Sequence, residues 1–262
     1  MSELVIDNVW QSYDEQVVLE GLHLRVDGPE FCAIVGASGC GKSTFLRLLL
    51  GQEQPSRGRI LLDGEPLPRE PGPDRGVVFQ QYSVFPHLTV LENAMFGLEL
   101  QRRRWDVRIG GRLWGRARGE VREQAEQALA QVGLSGARDK YPALLSGGMR
   151  QRLSLAQSIV TRPKILLLDE PFGALDPGVR SDMHELVLRL WEEHRMCVFL
   201  VTHDIAEGFK LGTRLLVFDR LRRDPQAPQA FGATITYDLP LRRLTAEGAA
   251  AQRRDRSVAA AG

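Results

Sequence analysis

The sequence is poor in cysteine, in net charge and in long apolar runs. Its longest aliphatic stretches, such as Ile165 to Leu168, are of strand length and fall far short of the ~18 consecutive apolar residues of a membrane span. They are expected to be buried parallel strands. The first residues, Met1 to Trp10, lack the charged-then-apolar layout of a secretory leader. Three cysteines, Cys32, Cys40 and Cys197, form no metal-ligand spacing and are an odd number for a disulfide framework, which fits a reducing cytosol. Lys and Arg (34) nearly cancel Asp and Glu (33), so no overall field points to nucleic acid. No internal repeat is visible. The 262 residues give one or two domains with ample chain for a core.

Against that plain background one stretch stands out, Phe31 to Gly51. A short apolar run, Phe31 to Val35, breaks into Gly36-Ala37-Ser38-Gly39-Cys40-Gly41-Lys42-Ser43 and continues, with Thr44, as a helix that stops at Gly51. The turn fits the phosphate-binding pattern G-x-x-x-x-G-K-[ST]. Its glycines let successive N–H groups curl around an anion, and the helix aims its positive end at the same spot. Lys42 supplies a cation for the β- and γ-phosphates and Ser43 a hydroxyl for Mg²⁺. Cys40 puts a thiol inside this loop.

Around it the pattern alternates. Val5, Ile6 and Val9, then Leu22, Leu24 and Val26, predict an N-terminal β region turning at Asp27-Gly28-Pro29. Gln54 to Gly58 reads as a turn, Ile60 to Gly64 as a short strand and turn, and Gly76 to Phe79 as a strand ending at Gln80. Helices follow: one from Val90 behind the capping-box spacing Thr89 to Glu92, one over Glu120–Val132, and one from Ser146 to before Pro163. The α/β alternation then resumes, with strands at 165–168, 197–201 and 214–218 and helices near 178–194 and 204–211. An alternating run at 233–237 precedes an Ala/Arg tail, 241–262, expected to be poorly ordered. Residues 101–119, rich in Arg and Trp, read as a solvated loop, with contact to lipid headgroups or a partner as the alternative.

Two further motifs carry chemistry. The strand Ile165–Leu168 delivers Asp169 at its carboxyl end, where open α/β sheets place ligands, and Asp169 could hold Mg²⁺. Glu170, on the opposite face, is placed to polarise an attacking water. In Leu145-Ser146-Gly147-Gly148-Met149, Ser146 is a natural N-cap and two glycines bare the backbone N–H groups to an anion. A chain with one complete phosphate loop has little use for a second anion-binding helix end, unless that end serves another nucleotide.

With these motifs in order, the chain resembles the ATP-binding subunit of an ABC transporter from about Leu4 to Phe218. The resemblance implies a P-loop NTPase of α/β class: a RecA-like, mostly parallel sheet, an N-terminal antiparallel β region and an inserted helical subdomain. It divides residues 1–240 into a catalytic core, 1–80 and 164–240, and helical residues 81–163. It implies that two copies sandwich ATP and Mg²⁺ head to tail, Ser146, Gly147 and Gly148 of one copy reading the nucleotide held by the other. By position, Gln80 would sense the Mg²⁺ or the water, His203 would contact the γ-phosphate and steady Glu170, and Asp176 would bridge the two copies. Tyr13 would stack on adenine. One departure is Met149, where the family usually has a glutamine able to meet a ribose hydroxyl. The segment Val84 to Asn93 resembles that of bacterial importers of the nitrate/sulfonate/taurine type. That implies integral membrane permease subunits, a solute-binding protein and a peripheral place on the cytoplasmic face of the membrane, with no nucleic-acid partner. A small-molecule kinase would leave the Ser146 motif unexplained, and a GTPase would need an Asn-Lys-x-Asp that is missing. A soluble ABC protein of DNA repair or translation is the remaining alternative. The chain is also expected to leave no room for the ~100-residue regulatory domain that some sugar importers append.

Overall fold

The structure, a computed structural model, describes residues 2–80, 83–105, 116–222, 224, 226–227 and 229–241. Strands β1 (Glu3–Tyr13), β2 (Gln16–Asp27), β4 (Arg57–Leu62) and β5 (Glu65–Pro66) form an antiparallel sheet in the order β2-β1-β4-β5. The second sheet contains β3 (Phe31–Gly36), β6 (Arg75–Val78), β7 (Ile165–Asp169), β8 (Cys197–Val201), β9 (Arg214–Asp219) and β10 (Thr234–Pro240). Its order is β10-β9-β3-β8-β7-β6, parallel except for the edge pairing of β10 with β9.

The aliphatic strands are parallel because both of their faces are covered. Alternate residues enter different cores. Leu166, Leu168, Val198 and Leu200 pack with helices α2 (Val90–Trp105), α3 (Arg116–Gln131), α4 (Gly147–Ile159) and α5 (Pro177–His194). Ile165, Leu167, Phe199 and Val201 pack with α1 (Lys42–Leu50) and the antiparallel sheet. The helical segment therefore shares one continuous apolar cluster with a face of the parallel sheet.

Most expected elements appear within a residue or two. The capping box before α2 is formed: the Thr89 amide donates to Glu92 Oε2 at 2.8 Å and the Glu92 amide to Thr89 Oγ1 at 3.2 Å. Three expectations change. The turn predicted over Gln54–Gly58 ends early, since β4 begins at Arg57 and Gly58 takes φ 81° within it. The alternating run predicted at 233–237 begins at Thr234 and runs on to Pro240 as β10. The loop predicted over 101–119 is helical at both flanks, because α2 runs to Trp105 and α3 starts at Arg116. Residues 106–115 and the tail 242–262 lie outside the described residues. A last helix, α6 (Ile205–Leu211), follows β8.

Asn93, fully buried on α2, ties down the loop that leads into the helix. The two hydrogens of its Nδ2 are shared among the carbonyls of Phe85, Leu88 and Thr89, each 2.9–3.0 Å away, and its Oδ1 accepts from the Phe85 amide at 2.8 Å. Asn93→Ala leaves the Phe85 amide and the Leu88 carbonyl without this partner, at about 1–3 kcal/mol each, while the Phe85 and Thr89 carbonyls keep the Leu88 and Asn93 amides. The variant is expected to lose about 2–4 kcal/mol of stability in urea unfolding, with Asn93→Asp intermediate.

Candidate functional site

Four neighbouring parallel strands, β3, β8, β7 and β6, end at one edge, and each hands its next residues to the same region. The phosphate loop leaves β3, Thr202 and His203 leave β8, Glu170 leaves β7, and Gln80 follows β6. The register pairs Val78 with Leu168 and Asp169 with Val201, so Gln80, Glu170 and His203 leave the sheet abreast.

In the loop, Gly41 caps α1 in the left-handed region at φ 88°, where a Cβ would also lie 2.7 Å from Leu19 Cδ2. Gly36 is fixed by approach: a Cβ would stand 2.3 Å from the Phe218 carbonyl oxygen. No side chain caps α1, so the N–H groups of its first turn stay directed at the loop. Ala37, Ser38, Gly39 and Ser43 are exposed; Cys40, Lys42 and Thr44 are buried. The Lys42 ammonium donates to the Gly36 carbonyl at 2.8 Å and the Ala37 carbonyl at 2.9 Å, with Cys40 Sγ at 3.8 Å. The loop thus closes around its own cation. The Cys40 thiol faces inward beside that ammonium, away from the exposed rim.

Asp169 is half-buried, and burial pushes its carboxyl above the usual carboxylate range. A hydrogen bond from Ser43 opposes that shift, and neighbouring Glu170 adds to it. A carboxylate and a hydroxyl side by side are two hard oxygen donors, the set that suits Mg²⁺ sharing its remaining positions with phosphate and water. Glu170 adopts φ 46°, a left-handed conformation that costs a non-glycine residue about 1–3 kcal/mol. Its amide donates to the Val201 carbonyl at 3.0 Å, and its Oε2 stands 3.5 Å from His203 Nδ1. His203 is otherwise exposed, 67% at the side chain.

Tyr13, at the end of β1, hydrogen-bonds Glu53 and lies against Thr44 and Arg47 of α1. Burial and the Glu53 carboxylate raise its phenol pKa. The residue is 38% exposed, at the rim of the helix that carries Lys42 and Ser43. Gln80 is exposed.

The Ser146 motif stands elsewhere. Ser146 caps α4, its Oγ accepting from the Met149 amide at 3.3 Å. Gly148 is held so close to α5 that a Cβ would meet Val179 Cγ1 at 2.6 Å. Met149 packs partly buried against the main core, which accounts for an apolar side chain at that place. Among the described residues, no hydrogen bond or ion pair joins Ser146, Gly147 or Gly148 to the phosphate loop. Asp176 caps α5 with its backbone only and leaves its exposed carboxylate uncommitted to the cap.

One pair escaped the sequence reading. His184 and Glu207, 5% and 7% exposed, meet at 2.8 Å between α5 and α6. The signal was a histidine one position from Met183, on the face of α5 that also carries Leu186, Val187 and Leu190.

The comparisons with known proteins agree. The family described as ABC transporter matches residues 19–173. The bicarbonate transport ATP-binding protein CmpD of Synechococcus elongatus is 39% identical over 218 residues, 82% of this chain and 74% of that protein. The aliphatic sulfonates import ATP-binding protein SsuB 1 of Burkholderia cenocepacia is 39% identical over 251 residues, 96% and 70% of the two chains. A dimeric post-hydrolysis state of an ATP-binding cassette, bound to ADP and Pi, superposes with a TM-score of 0.70 at 28% identity, covering 91% of this chain and 99% of that one. The chain belongs to the ABC transporter family, as one of its ATP-binding subunits.

Proposed function

We propose that the chain is the ATP-hydrolysing subunit of an importer of a small solute, working as one half of a head-to-tail pair. The observation that carries this is the separation of two anion-binding elements. The phosphate loop, Asp169, Glu170 and His203 converge at one sheet edge, while Ser146-Gly147-Gly148 opens a helix of the helical segment. Each copy then holds one complete cradle and one unpaired cap. The dimeric relative bound to ADP and Pi supports a second copy as the partner of that cap.

The roles follow from the chemistry. Lys42 exchanges its two carbonyl acceptors for phosphate oxygens, keeping a desolvated cation where negative charge develops. Ser43 and Asp169, with Gln80 beyond the end of β6, are the residues that would hold Mg²⁺, which supplies charge neutralisation between the phosphates. Thr44 and the loop amides of Gly36 to Gly41 surround the anion. Tyr13 offers its exposed ring to the base. Glu170 takes a proton from, and aims, the attacking water, and His203 holds its carboxylate from the side. Ser146, Gly147 and Gly148 of the second copy add donors and exclude water, and Asp176 reaches across the joint.

Transport needs a membrane partner, and among the described residues no helix is long and apolar enough to cross a membrane. A groove of about 540 Å³ between β6 and the helical segment, lined by Phe79, Phe96, Leu100 and Gln157 among others, fits a short helix of a permease subunit. The bicarbonate and sulfonate transport names of relatives support import, with a solute-binding protein delivering to the permease and the chain peripheral on the cytoplasmic face.

Glu170→Gln is expected to bind ATP normally, lower turnover by about 10²–10⁴-fold and accumulate as a dimer in ATP. Lys42→Ala is expected to weaken nucleotide binding by roughly 10–100-fold, measured by fluorescent-nucleotide titration. A Glu170→Gln chain that stays monomeric with unaltered turnover overturns the assignment. Leu100→Asp, which puts a charge in the groove, is expected to abolish recovery with membrane proteins while leaving ATP binding intact. Co-purification of an active ATPase with nucleic acid instead would move the chain to the soluble ABC class.

A further inference from the structure

The two groups that meet over the reacting phosphate in the proposed site, Glu170 and His203, ride on separate loops. Glu170 begins the turn after β7; its carbonyl accepts from the Gly173 amide at 3.4 Å, and Phe172 within the turn is fully buried. His203 precedes α6, whose start is tied back to its own loop. Asp204 Oδ1 accepts from the Ala206 and Glu207 amides, and the Asp204 amide donates to Thr202 Oγ1 at 3.0 Å. Between the two loops lies a cavity of about 430 Å³, lined by Glu170, Phe172, His203 and Glu207 together with Arg180. Above that space the loops meet where the Glu170 amide donates to the Val201 carbonyl at 3.0 Å and where Glu170 Oε2 stands 3.5 Å from His203 Nδ1.

Beneath it, a side chain from a third element adds a further link. His184 of α5 meets Glu207 Oε1 through Nε2 at 2.8 Å, and its ring stands edge-on to Phe172, centroids 4.8 Å apart at 79°. Among the described residues, His184 Nδ1 has no hydrogen-bond partner. A buried carboxylate paired with a buried imidazole is a poor way to gain stability, since two apolar side chains of similar size would do as well or better. It is a good way to fix two loops at one distance, because a hydrogen bond tolerates less displacement than an apolar contact.

We propose that His184 is a positioning residue for ATP hydrolysis, setting the Glu170–His203 geometry by holding Phe172 with one face of its surroundings and Glu207 with the other. This rests on the assignment of Glu170 and His203 above. His184 stands two helical turns along α5 from Asp176, so the helix that starts at the proposed joint between copies also carries the side chain that spaces the two loops.

The test uses the full chain and steady-state ATPase kinetics with His184→Leu/Glu207→Leu, which removes both polar partners and leaves no unpaired buried charge. The expected result is a kcat lower by about 10–100-fold, the loss that misplacement by ~1 Å can bring, with the KM for ATP and the thermal midpoint close to those of the parent. In a Glu170→Gln background the same pair of changes is expected to lower the residual rate by less than about twofold, because a positioning group has nothing left to position. A stable double variant with parental kcat, or an equal loss in the Glu170→Gln background, overturns the proposal. His184→Gln, which keeps a donor for Glu207, gives a second reading that does not depend on the stability of the double variant. Its kcat is expected within about threefold of the parent, and a tenfold loss overturns the proposal. Failure of the underlying assignment would show separately, as unaltered turnover in Glu170→Gln with His184 intact.

Discussion

Burial of the parallel strands on both faces is the constraint on which the site depends. Ile165, Leu166, Leu167 and Leu168 are all at most 1% exposed, alternately committed to the helical side and to the α1 side. A strand so placed has no face on which a polar group can reach solvent, so polar chemistry appears only where the strand stops. Four strands stop together, and the residues that follow them inherit one small region. The same burial raises the Asp169 pKa, and the neighbouring Ser43 hydroxyl lies within hydrogen-bonding reach to answer it. The left-handed turn at Glu170 is the local cost of leaving the sheet sharply. It persists because Phe172, just beyond, is locked in the core.

That arrangement explains what was legible in the sequence. Unbroken aliphatic runs announced β7 and β8, glycine spacing announced the loop, and Thr89 with Glu92 announced the start of α2, because each depends on neighbours in the chain. Residues 101–105 and 116–119 misled for the opposite reason. Their arginines and Gly119 read as loop, whereas α2 and α3 extend through them from Leu98 and Val121, which pack in the helical core. The inward turn of Cys40 was also hidden, since it depends on where the Lys42 side chain goes. The His184–Glu207 pair and the fourfold anchoring by Asn93 depend on partners far away in sequence or on carbonyls of a neighbouring loop. No local pattern encodes such meetings; at most a polar residue on an apolar helical face hints at them.

The position of the Ser146 motif is the last consequence. The α4 helix is bonded to the sheet through Ser158, whose hydroxyl donates to the Val77 carbonyl at 2.6 Å, and it lies on α5 through the close approach of Gly148 to Val179. Val77 belongs to β6, which ends at Val78, two residues before Gln80, so the helix that Ser146 caps is bonded to the strand that leads to the glutamine. The helical segment also shares its apolar cluster with the sheet. Bringing Ser146 to the phosphate loop of its own chain would mean breaking that cluster, a loss of several buried side chains at roughly 1.5–3 kcal/mol each. Under the proposed pairing, meeting the loop of a second copy requires no such rupture. Within one copy, the cap therefore stays with the helical core and apart from the cradle.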